Sequence, residues 1–317
     1  MPRWTAALTE AGITDQTLRR AYDSQRELVR KFAFPQYLAA RLLLPARLLP
    51  PVVAMVAFMH ETDDRIDTGD PDIRSKALSE WDRQVREALD VASGAGTCDN
   101  SLLLALADTV RRHHPHLAVR VHDFLNGAPT EANWTGFETE ADFQAYIDSY
   151  SLPALMLTAS LMAPGPESGQ EEGFHQGCRA LIEGWQRSDF LADLSEDAEQ
   201  GRIGIARDEL ERHGLTLLDL HTKSEKCTPA LGRLVSTQAD LAEAALRACR
   251  GLPAMVEPPY RPFLRALISV QELQLRAVRG KGGSLLHEEA RPPIAATLLV
   301  LARQYVAAKT RQRRTRR

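Results

Sequence analysis

The sequence predicts an all-α protein, and three observations lead to this expectation. Apolar and polar residues rarely alternate with a period of two, and aromatic residues make up only 6% of the chain. No Asn-Gly or Asp-Gly hairpin turn lies between runs of β-branched or aromatic residues. Several long stretches instead begin with a proline at the first turn of a helix, where its fixed φ and missing N–H cost nothing.

The predicted helices follow one another along the whole chain, separated by short Gly, Pro and Ser stretches such as Pro164-Gly165-Pro166. Five of them start at a proline, and the sixth one breaks at Pro153. In chain order we predict helices at about Asp15–Lys31, Pro51–Asp67, Pro71–Ser93, Ser101–His113, Leu117–Leu125, Glu140–Met162, Glu172–Asp197, Thr216–Lys223, Pro229–Arg250, Pro258–Arg279 and Pro292–Ala308.

No connection between these helices is long enough to serve as an interdomain linker. With 44% apolar residues the chain can bury a large core, so we expect a single helical domain over residues 1–308. The remaining residues, 309–317, are strongly basic, and we expect a disordered tail without an assigned function there.

Composition excludes several classes of protein. The formal net charge of −3 gives no overall attraction to nucleic acid or to an anionic membrane. The most apolar run, Leu42 to Met59, is interrupted by Arg47 and three prolines, so we expect no stable membrane insertion. The first residues do not resemble a signal peptide, and the four cysteines lack the spacing of a metal site or a disulfide framework. We therefore expect a cytoplasmic protein, and the sequence leaves its oligomeric state open.

Two short acidic stretches, Asp63–Asp67 and Asp193–Asp197, carry the main functional prediction. Each places two carboxylates four residues apart in a predicted helix, so that both lie on one face. Apolar residues flank both stretches, which indicates that the carboxylates line a cavity. Carboxylates held together away from water raise one another's pKa, and a divalent cation relieves that cost. Oxygen ligands with room for water suit Mg²⁺.

The alternative interpretation is a pair of solvated acidic helix faces, since such pairs are common on protein surfaces. A solvated face usually carries Lys or Arg at i, i+4, yet the face of the second helix has no base. That face consists of Gln186, Asp189, Asp193, Glu196 and Asp197. We therefore favour a metal site.

The residues around both stretches resemble the squalene/phytoene synthase family. Tyr37–Pro45 followed by Val56–Asp67 resembles the opening of that family, and Asp193–Ile203 resembles its second aspartate motif with the trailing Gly201-Arg202. The resemblance implies an isoprenoid synthase fold, a helical bundle with a central active-site cavity. It also implies an isoprenyl diphosphate substrate and two or three Mg²⁺ ions bound with the diphosphate.

The resemblance implies roles for individual residues. The metal ligands would be Asp63, Asp64, Asp67, Asp193, Glu196 and Asp197. The substrate-binding residues would be Tyr37, Arg41, Arg47, Gln186 and Arg202, with Arg202 on the diphosphate, and Tyr146 matches an active-site tyrosine. The walls of the prenyl pocket would be Phe58, Tyr150 and Leu191, although core packing explains apolar side chains at such positions equally well.

Several positions depart from the family pattern. His60 and Ala192 replace arginines that usually precede the two motifs, Asp189 replaces an asparagine, and Gly204 replaces a tyrosine. Phe34-Pro35-Gln36 replaces residues that contact phosphate, and Tyr150–Leu155 replaces a small, Gly-containing segment. A site that holds two diphosphates needs many charge-assisted hydrogen bonds. The departures favour a site for one diphosphate.

The pattern of departures resembles actinobacterial members of the family that transfer a short prenyl group to an aromatic ring. This resemblance implies a Mg²⁺-dependent prenyltransferase that alkylates a small aromatic acceptor such as a carbazole or indole, and this is our prediction from the sequence. Asp189 would be an additional metal ligand or the base that deprotonates the substituted ring. His60 would pair with the first aspartates, contact diphosphate or accept that proton, and a hydrogen-bonded wall residue explains it equally well. Three alternatives stay open: head-to-head condensation as in phytoene or squalene synthases, a terpene cyclase or lyase, and a non-catalytic relative.

Overall fold

The structure, a computed structural model, describes residues 4–91, 99–113, 115–224 and 228–314. The all-α prediction is confirmed, and no strand occurs among these residues. The α-helices are α1 Trp4–Glu10, α2 Gln16–Phe32, α3 Phe34–Leu43, α4 Leu49–Asp67, α5 Pro71–Val91, α6 Ser101–His113, α7 Pro115–Ala132, α8 Glu140–Tyr146, α9 Leu152–Ala159, α10 Glu171–Ala192, α11 Leu194–Gln200, α12 Arg207–Arg212, α13 Leu217–His221, α14 Thr228–Ala248, α15 Leu252–Met255, α16 Arg261–Lys281 and α17 Ile294–Arg314.

Four short helices, α1, α3, α12 and α15, were absent from the sequence prediction. Isolated helices of this length are marginal in water, so packing and not local sequence stabilises them. At the other end of the chain, α17 extends through Arg314, beyond the predicted limit of residue 308. The rest of the predicted basic tail, residues 315–317, lies outside the described residues.

The chain forms two compact units. Unit 1 comprises residues 1–133, 153–163 and 256–263, and unit 2 comprises residues 134–152, 164–255 and 264–317. The single domain expected over residues 1–308 stays a prediction.

In unit 1, helices α2, α4 and α6 pack on one another. Their contact includes a buried polar group: the hydroxyl of Tyr22 lies 3.1 Å from Asp108 Oδ2 and 2.7 Å from Thr109 Oγ1. The Asp108 carboxylate also accepts hydrogen bonds from Arg111 at 2.6 Å and Arg112 at 2.7 Å. Because every polar atom of this carboxylate has a partner, burial of Asp108 is compatible with a stable core.

In unit 2, α10 packs lengthwise on α14. Gly184 permits the close approach: a Cβ at this position would lie 3.0 Å from the carbonyl oxygen of Ala242 and 2.7 Å from Leu246 Cγ. On the same helix the buried guanidinium of Arg187 donates to Gln238 Oε1 of α14 at 3.0 Å and to Glu183 Oε1 at 3.1 Å. The packing therefore fixes α10, whose last turn leads into the second acidic stretch.

None of the helices among the described residues is long and apolar enough to cross a membrane. Cys178 and Cys249 are buried as free thiols.

Candidate active site

The first acidic stretch forms the last turns of α4, and the packing of unit 1 fixes its orientation. Thr62 and Ile66 are buried on the side of α4 that faces the core. The indole N–H of Trp81 on α5 donates to Thr62 Oγ1 at 2.9 Å, and this hydroxyl donates to the carbonyl oxygen of Phe58 at 2.9 Å. Asp63 is half-buried and Asp67 is exposed, so both acids lie off the core face.

Asp64 and His60 lie on the same helix, one turn apart. His60 Nδ1 is 3.9 Å from Asp64 Oδ1, and the imidazole stacks on the ring of Phe32 with 3.7 Å between centroids. His60 therefore contacts the exposed Asp64, and its pairing with Asp63 or Asp67 stays a prediction. The stacking on Phe32 orients the ring and supports the interpretation of His60 as a wall residue.

Phe58 was predicted to line the prenyl pocket, but it is fully buried in the core of unit 1. Its ring lies 6.2 Å from that of Trp81 and 5.8 Å from that of Phe124, measured between centroids. Phe58 therefore packs on the core side of α4. This arrangement agrees with the alternative that Phe58 is a core residue.

The other substrate-binding candidates of unit 1 lie on or after α3. Tyr37 is buried, and its hydroxyl accepts a hydrogen bond from Arg26 Nε at 3.0 Å. Arg41 is half-buried. Arg47 is exposed and lies 3.1 Å from the hydroxyl of Tyr260, and this hydrogen bond raises the pKa of the guanidinium.

The second acidic stretch lies at a helix junction, which corrects the predicted continuous helix from Glu172 to Asp197. Helix α10 ends at Ala192, and Asp193 adopts φ −94° and ψ 5°, between α10 and α11. The carbonyl oxygen of Asp193 still accepts the N–H groups of Glu196 and Asp197, each at 2.9 Å. Asp193 and Asp197 thus remain one turn apart, on the first turn of α11 and not on α10.

The acids of this junction repel one another. Burial, together with the charges of Asp193 and Glu196, raises the pKa of Asp197 to about 7, and the charge of Arg202 opposes this rise. Partial burial also raises the pKa of Asp193, with Glu196 and Glu289 adding to the effect. Protons, or a cation, are needed to stabilise such a cluster at neutral pH.

Asp189, one turn before Asp193, belongs to the same acidic cluster. Burial, together with the charge of Asp193, raises its pKa to about 7, and a hydrogen bond from Trp185 opposes this rise. At neutral pH this carboxyl is therefore divided between its protonated and ionised forms. That is the property required of a group that takes or returns a proton.

Gly201 brings Arg202 back toward the acids. It ends α11 in the left-handed conformation, with φ 68°, and the N–H of Arg202 then donates to the carbonyl oxygen of Asp197 at 3.0 Å. The Arg202 guanidinium lies over the indole of Trp134, 5.1 Å from the centroid. The Gly-Arg pair therefore places a cation next to the second acidic stretch, as expected for a diphosphate contact.

An aromatic cluster lies behind this cation and consists of Trp134, Phe137, Phe143, Tyr146 and Phe190. Trp134 stacks on Phe190 with 5.3 Å between centroids and an interplanar angle of 21°. Tyr146 is buried, and its ring lies 6.1 Å from that of Phe190 and 6.0 Å from that of Trp134. The predicted active-site tyrosine is therefore part of this cluster.

Tyr150 lies in an irregular helical segment that follows α8, and Gln186 is hydrogen-bonded to the same segment. Residues Ile147–Ser151 form a π-helix directly before Pro153, a distortion often found at functional sites. The ring of Tyr150 lies 5.7 Å from that of Tyr146, and Ser151 Oγ donates to Gln186 Oε1 at 3.3 Å. Leu191, the third predicted wall residue, is buried in the core of unit 2 with Leu194 and Ala198.

The donor set of these stretches fits Mg²⁺. Among the described residues no group of three or more His, Cys, Asp or Glu side chains is close enough to hold a metal ion. Mg²⁺ usually binds through one or two protein carboxylates and completes its shell with water and substrate phosphates, so a larger protein cluster is not required. The raised pKa values of Asp193 and Asp197 give a physical reason for a cation at this place.

Sequence reasoning missed Phe190, Trp134 and Trp185. Phe190 and Trp185 flank Asp189 on α10, and Trp134 lies in the connection between α7 and α8. The only feature of the sequence that pointed to Phe190 and Trp185 was their position close to Asp189. Aromatic residues near an acidic residue are common in protein cores, so this feature does not identify a site.

A family model described as squalene/phytoene synthase matches residues 29–297. The chain is 29% identical over 259 residues to the bifunctional protein CrtB/UppS of Streptomyces coelicolor, which covers 81% of this chain and 43% of that relative. It is 24% identical over 288 residues to the chloroplastic phytoene synthase 3 of Zea mays, which covers 90% of this chain and 58% of that relative. The chain thus spans about half the length of these curated relatives.

A crystal structure of a dehydrosqualene synthase in complex with ligand superimposes on this chain with a TM-score of 0.77. The alignment is 22% identical and covers 93% of this chain and 99% of the other. At this level of identity the likeness shows the shared all-α fold.

Proposed function

The chain belongs to the squalene/phytoene synthase family, and from this premise we propose that it is an enzyme that condenses two isoprenyl diphosphates head to head. The observation that carries the proposal is the pair of acidic stretches, Asp63–Asp67 and Asp193–Asp197, both inside the matched residues 29–297. The relatives named as phytoene and squalene-type synthases favour this reaction over transfer to an aromatic acceptor.

In the proposed reaction the C–O bond of one allylic diphosphate breaks and pyrophosphate leaves with the bonding electrons. The double bond of the second prenyl chain attacks the resulting carbocation, and loss of a proton leaves a cyclopropyl intermediate that still carries the second diphosphate. The C–O bond of this diphosphate then breaks, the second pyrophosphate leaves with the bonding electrons, and the rearranged carbocation loses a second proton to give the hydrocarbon. Asp63, Asp67, Asp193 and Asp197 would hold Mg²⁺, which when bound stabilises the negative charge of the leaving group.

The residues of unit 2 support defined roles. Arg202, oriented by Gly201 and by the Trp134 ring, is placed to donate to a diphosphate beside Asp197. Asp189, with a pKa of about 7, is suited to accept the proton that the product releases. The apolar rings of Tyr146 and Phe190 would shield a carbocation from water.

A second candidate is transfer of one prenyl group to a small aromatic acceptor. It is supported by the ring of Phe190, which occupies the space next to Gly204 where the family commonly has a tyrosine. Together with the bulky Tyr150–Leu155 segment, this ring reduces the room for a second long prenyl chain.

Product analysis separates the two candidates. The purified protein is incubated with Mg²⁺ and with geranyl, farnesyl or geranylgeranyl diphosphate alone, and pyrophosphate and organic extracts are measured. Head-to-head condensation yields a hydrocarbon with twice the carbon number of its substrate. A requirement for indole or carbazole, with a prenylated ring as product, would establish the second candidate instead. A cyclic product of unchanged carbon number would establish a terpene cyclase.

Substitutions test the metal assignment. Asp67→Asn and Asp193→Asn should each lower kcat by about a hundredfold or more, because the leaving group loses metal-borne stabilisation. Asp72→Asn is the matched control, since Asp72 is exposed at the start of α5, five residues beyond Asp67. A protein that releases no pyrophosphate with any of these substrates, and that pyrophosphate with Mg²⁺ does not stabilise, would be the non-catalytic relative.

A further inference from the structure

Helix α17, Ile294–Arg314, differs from the other long helices of unit 2 because none of its residues up to Thr310 is buried. Helices α10 and α14 of the same unit each bury many side chains against one another. A helix stabilised by packing normally buries one apolar side. One side of α17 is half-buried, for example at Val300 and Leu301, and the apolar residues of its other side are exposed.

Large apolar side chains are concentrated on this helix. Ile294 is 78% exposed, Leu298 56%, Leu299 50% and Val306 62%. The other large apolar side chains that are exposed among the described residues are distributed over α2, α3, α5, α7, α13 and α14, one on each.

The spacing of these residues places them on one side of the helix. Ile294, Leu298 and Val306 are separated by multiples of four residues. Because four residues are slightly more than one helical turn, these side chains form a row that winds only slowly around the helix axis. Ala302 fills the remaining position of the row, and Leu299 lies beside it. The row extends over the first 13 residues of a 21-residue helix, a length of about 18 Å.

Positive charge continues from this apolar row. Arg303 is exposed on the border of the row, and Lys309 lies one turn beyond it, with its Nζ 5.6 Å from the centroid of the Tyr305 ring. Residues 309–317 contain one lysine and five arginines and no acidic residue, in a chain whose formal net charge is −3. The positive charge is therefore local to α17 and the residues after it.

We propose that α17 binds the surface of an anionic phospholipid bilayer, with its apolar row in the boundary between headgroups and acyl chains. An exposed apolar face bordered by Lys and Arg is the composition of helices that lie in this plane. Each basic residue near an anionic surface strengthens binding, and the attraction falls off within a Debye length of the surface. A second protein copy would match the apolar row but not the run of positive charge, since like charges would repel.

Vesicle co-sedimentation tests the proposal. The full chain is mixed with phosphatidylglycerol vesicles or with phosphatidylcholine vesicles, and the pelleted fraction is measured at low and high salt. Binding should be at least about tenfold stronger to phosphatidylglycerol and should weaken as salt rises. The double substitution Leu298→Glu with Val306→Glu should reduce binding about tenfold or more, because it places two carboxylates on the apolar row.

Two further variants complete the experiment. Arg303→Gln with Lys309→Gln should weaken binding to phosphatidylglycerol and reduce its dependence on salt. Ile73→Glu with Val119→Glu, at positions 58% and 54% exposed on α5 and α7, is the matched control and should bind like the unsubstituted chain. Thermal unfolding of each variant checks that the fold is retained, which the exposed positions favour.

Three results would overturn the proposal. The unsubstituted chain could fail to pellet with phosphatidylglycerol vesicles, or the substitutions on α17 could reduce binding no more than those on α5 and α7. Alternatively, sedimentation velocity could show a dimer that dissociates on Leu298→Glu with Val306→Glu while lipid binding is absent. That result would assign the apolar row to a second copy of the chain.

Discussion

The ring of Phe190 lies against the backbone of Gly204. A Cβ built on Gly204 would be 2.1 Å from Phe190 Cγ, far inside van der Waals contact. The absence of a side chain at Gly204 leaves room for this ring, which reaches the position from α10. Phe190 also stacks on Trp134, and the guanidinium of Arg202 lies over the Trp134 ring. The contact between Phe190 and Gly204 is therefore connected, through the Trp134 ring, to the position of the Arg202 guanidinium.

We predict that Gly204→Ala destabilises the protein by about 2–3 kcal/mol, because the added methyl group overpacks the contact with Phe190. In a Phe190→Ala background the same substitution should be nearly neutral, since the blocking ring carbons are gone. The measurement is a double-mutant cycle by urea denaturation. Gly232→Ala is the control, because a Cβ there would lie 3.6 Å from its nearest neighbour, an ordinary contact. An equal cost of Gly204→Ala in both backgrounds would refute the contact.

The relationship between Phe190 and Gly204 was not accessible to sequence reasoning, although both acidic stretches were. An i, i+4 pair of carboxylates is a local pattern, and the Gly-Arg that ends α11 is local as well. The contact of Phe190 with Gly204 and Trp134 joins three segments of the chain, and 56 residues separate Trp134 from Phe190. Such contacts depend on tertiary packing, which single-sequence patterns do not encode.

The break after Ala192 was missed for a different reason. Asp193 adopts φ −94° and ψ 5°, a conformation open to most residue types. No glycine or proline marks the junction, so the sequence predicted one continuous helix. Phe58 and Leu191 show a further limit of sequence patterns, because an apolar residue beside an acidic one fits a pocket wall and a core equally well. Both residues are buried, which agrees with the core-packing alternative, and their role as wall residues stays a prediction.

Gly201 gives a second prediction. Its φ of 68° is strained for residues with a side chain, although no atom lies within 4 Å of the position that a Cβ would occupy. Gly201→Ala should therefore cost about 1 kcal/mol of stability through backbone conformation alone. It should also raise the KM for the prenyl diphosphate, because the turn places Arg202 beside Asp197. Gly280→Ala, inside α16 with open space around it, should instead stabilise the protein by about 0.5–1 kcal/mol.

Chemical denaturation and steady-state kinetics of both variants check this prediction. If Gly201→Ala were as stable as the unsubstituted chain, the left-handed cap of α11 would be disproved. If stability fell while the KM stayed unchanged, the turn would be structural, and Arg202 would not depend on it for its position.

The hydrogen bond from Trp81 to Thr62 supports a third prediction. Thr62→Val retains the shape of the side chain but leaves the buried indole N–H of Trp81 without its acceptor. An unsatisfied buried donor costs about 1–3 kcal/mol, so the midpoint of urea unfolding should fall accordingly. Thr310→Val is the matched control: Thr310 makes the same bond to the carbonyl four residues earlier, but on an exposed helix face. A similar small effect for both variants would contradict the role of Trp81 in orienting the end of α4.

The acidic cluster of unit 2 leads to the last prediction, that Asp197→Asn stabilises the metal-free protein at alkaline pH. An unfolded aspartate has a pKa of 3.8, and burial with neighbouring acids raises that of Asp197 to about 7. Between these two values the folded state binds more protons than the unfolded state, so stability falls as pH rises and the cost is complete above about pH 7. The substitution removes this cost, and since Asp197 is partly exposed we expect a gain of roughly 1–2 kcal/mol at pH 8 and little at pH 4.

Thermal unfolding of both proteins in chelator at pH 4, 6 and 8 measures this difference. Addition of Mg²⁺ with pyrophosphate should reverse the order at pH 8, because binding to the intact carboxylates stabilises the unsubstituted chain more. Because the site holds like charges close together for its function, we expect Asp197→Asn to lose activity while it gains stability. Asp208→Asn is the control, since Asp208 pairs with Arg212 at 2.5 Å and its removal should not stabilise the protein at any pH. If Asp197→Asn were destabilising at pH 8 in chelator, the carboxylate of Asp197 would be held by favourable partners and would not be repelled by Asp193 and Glu196.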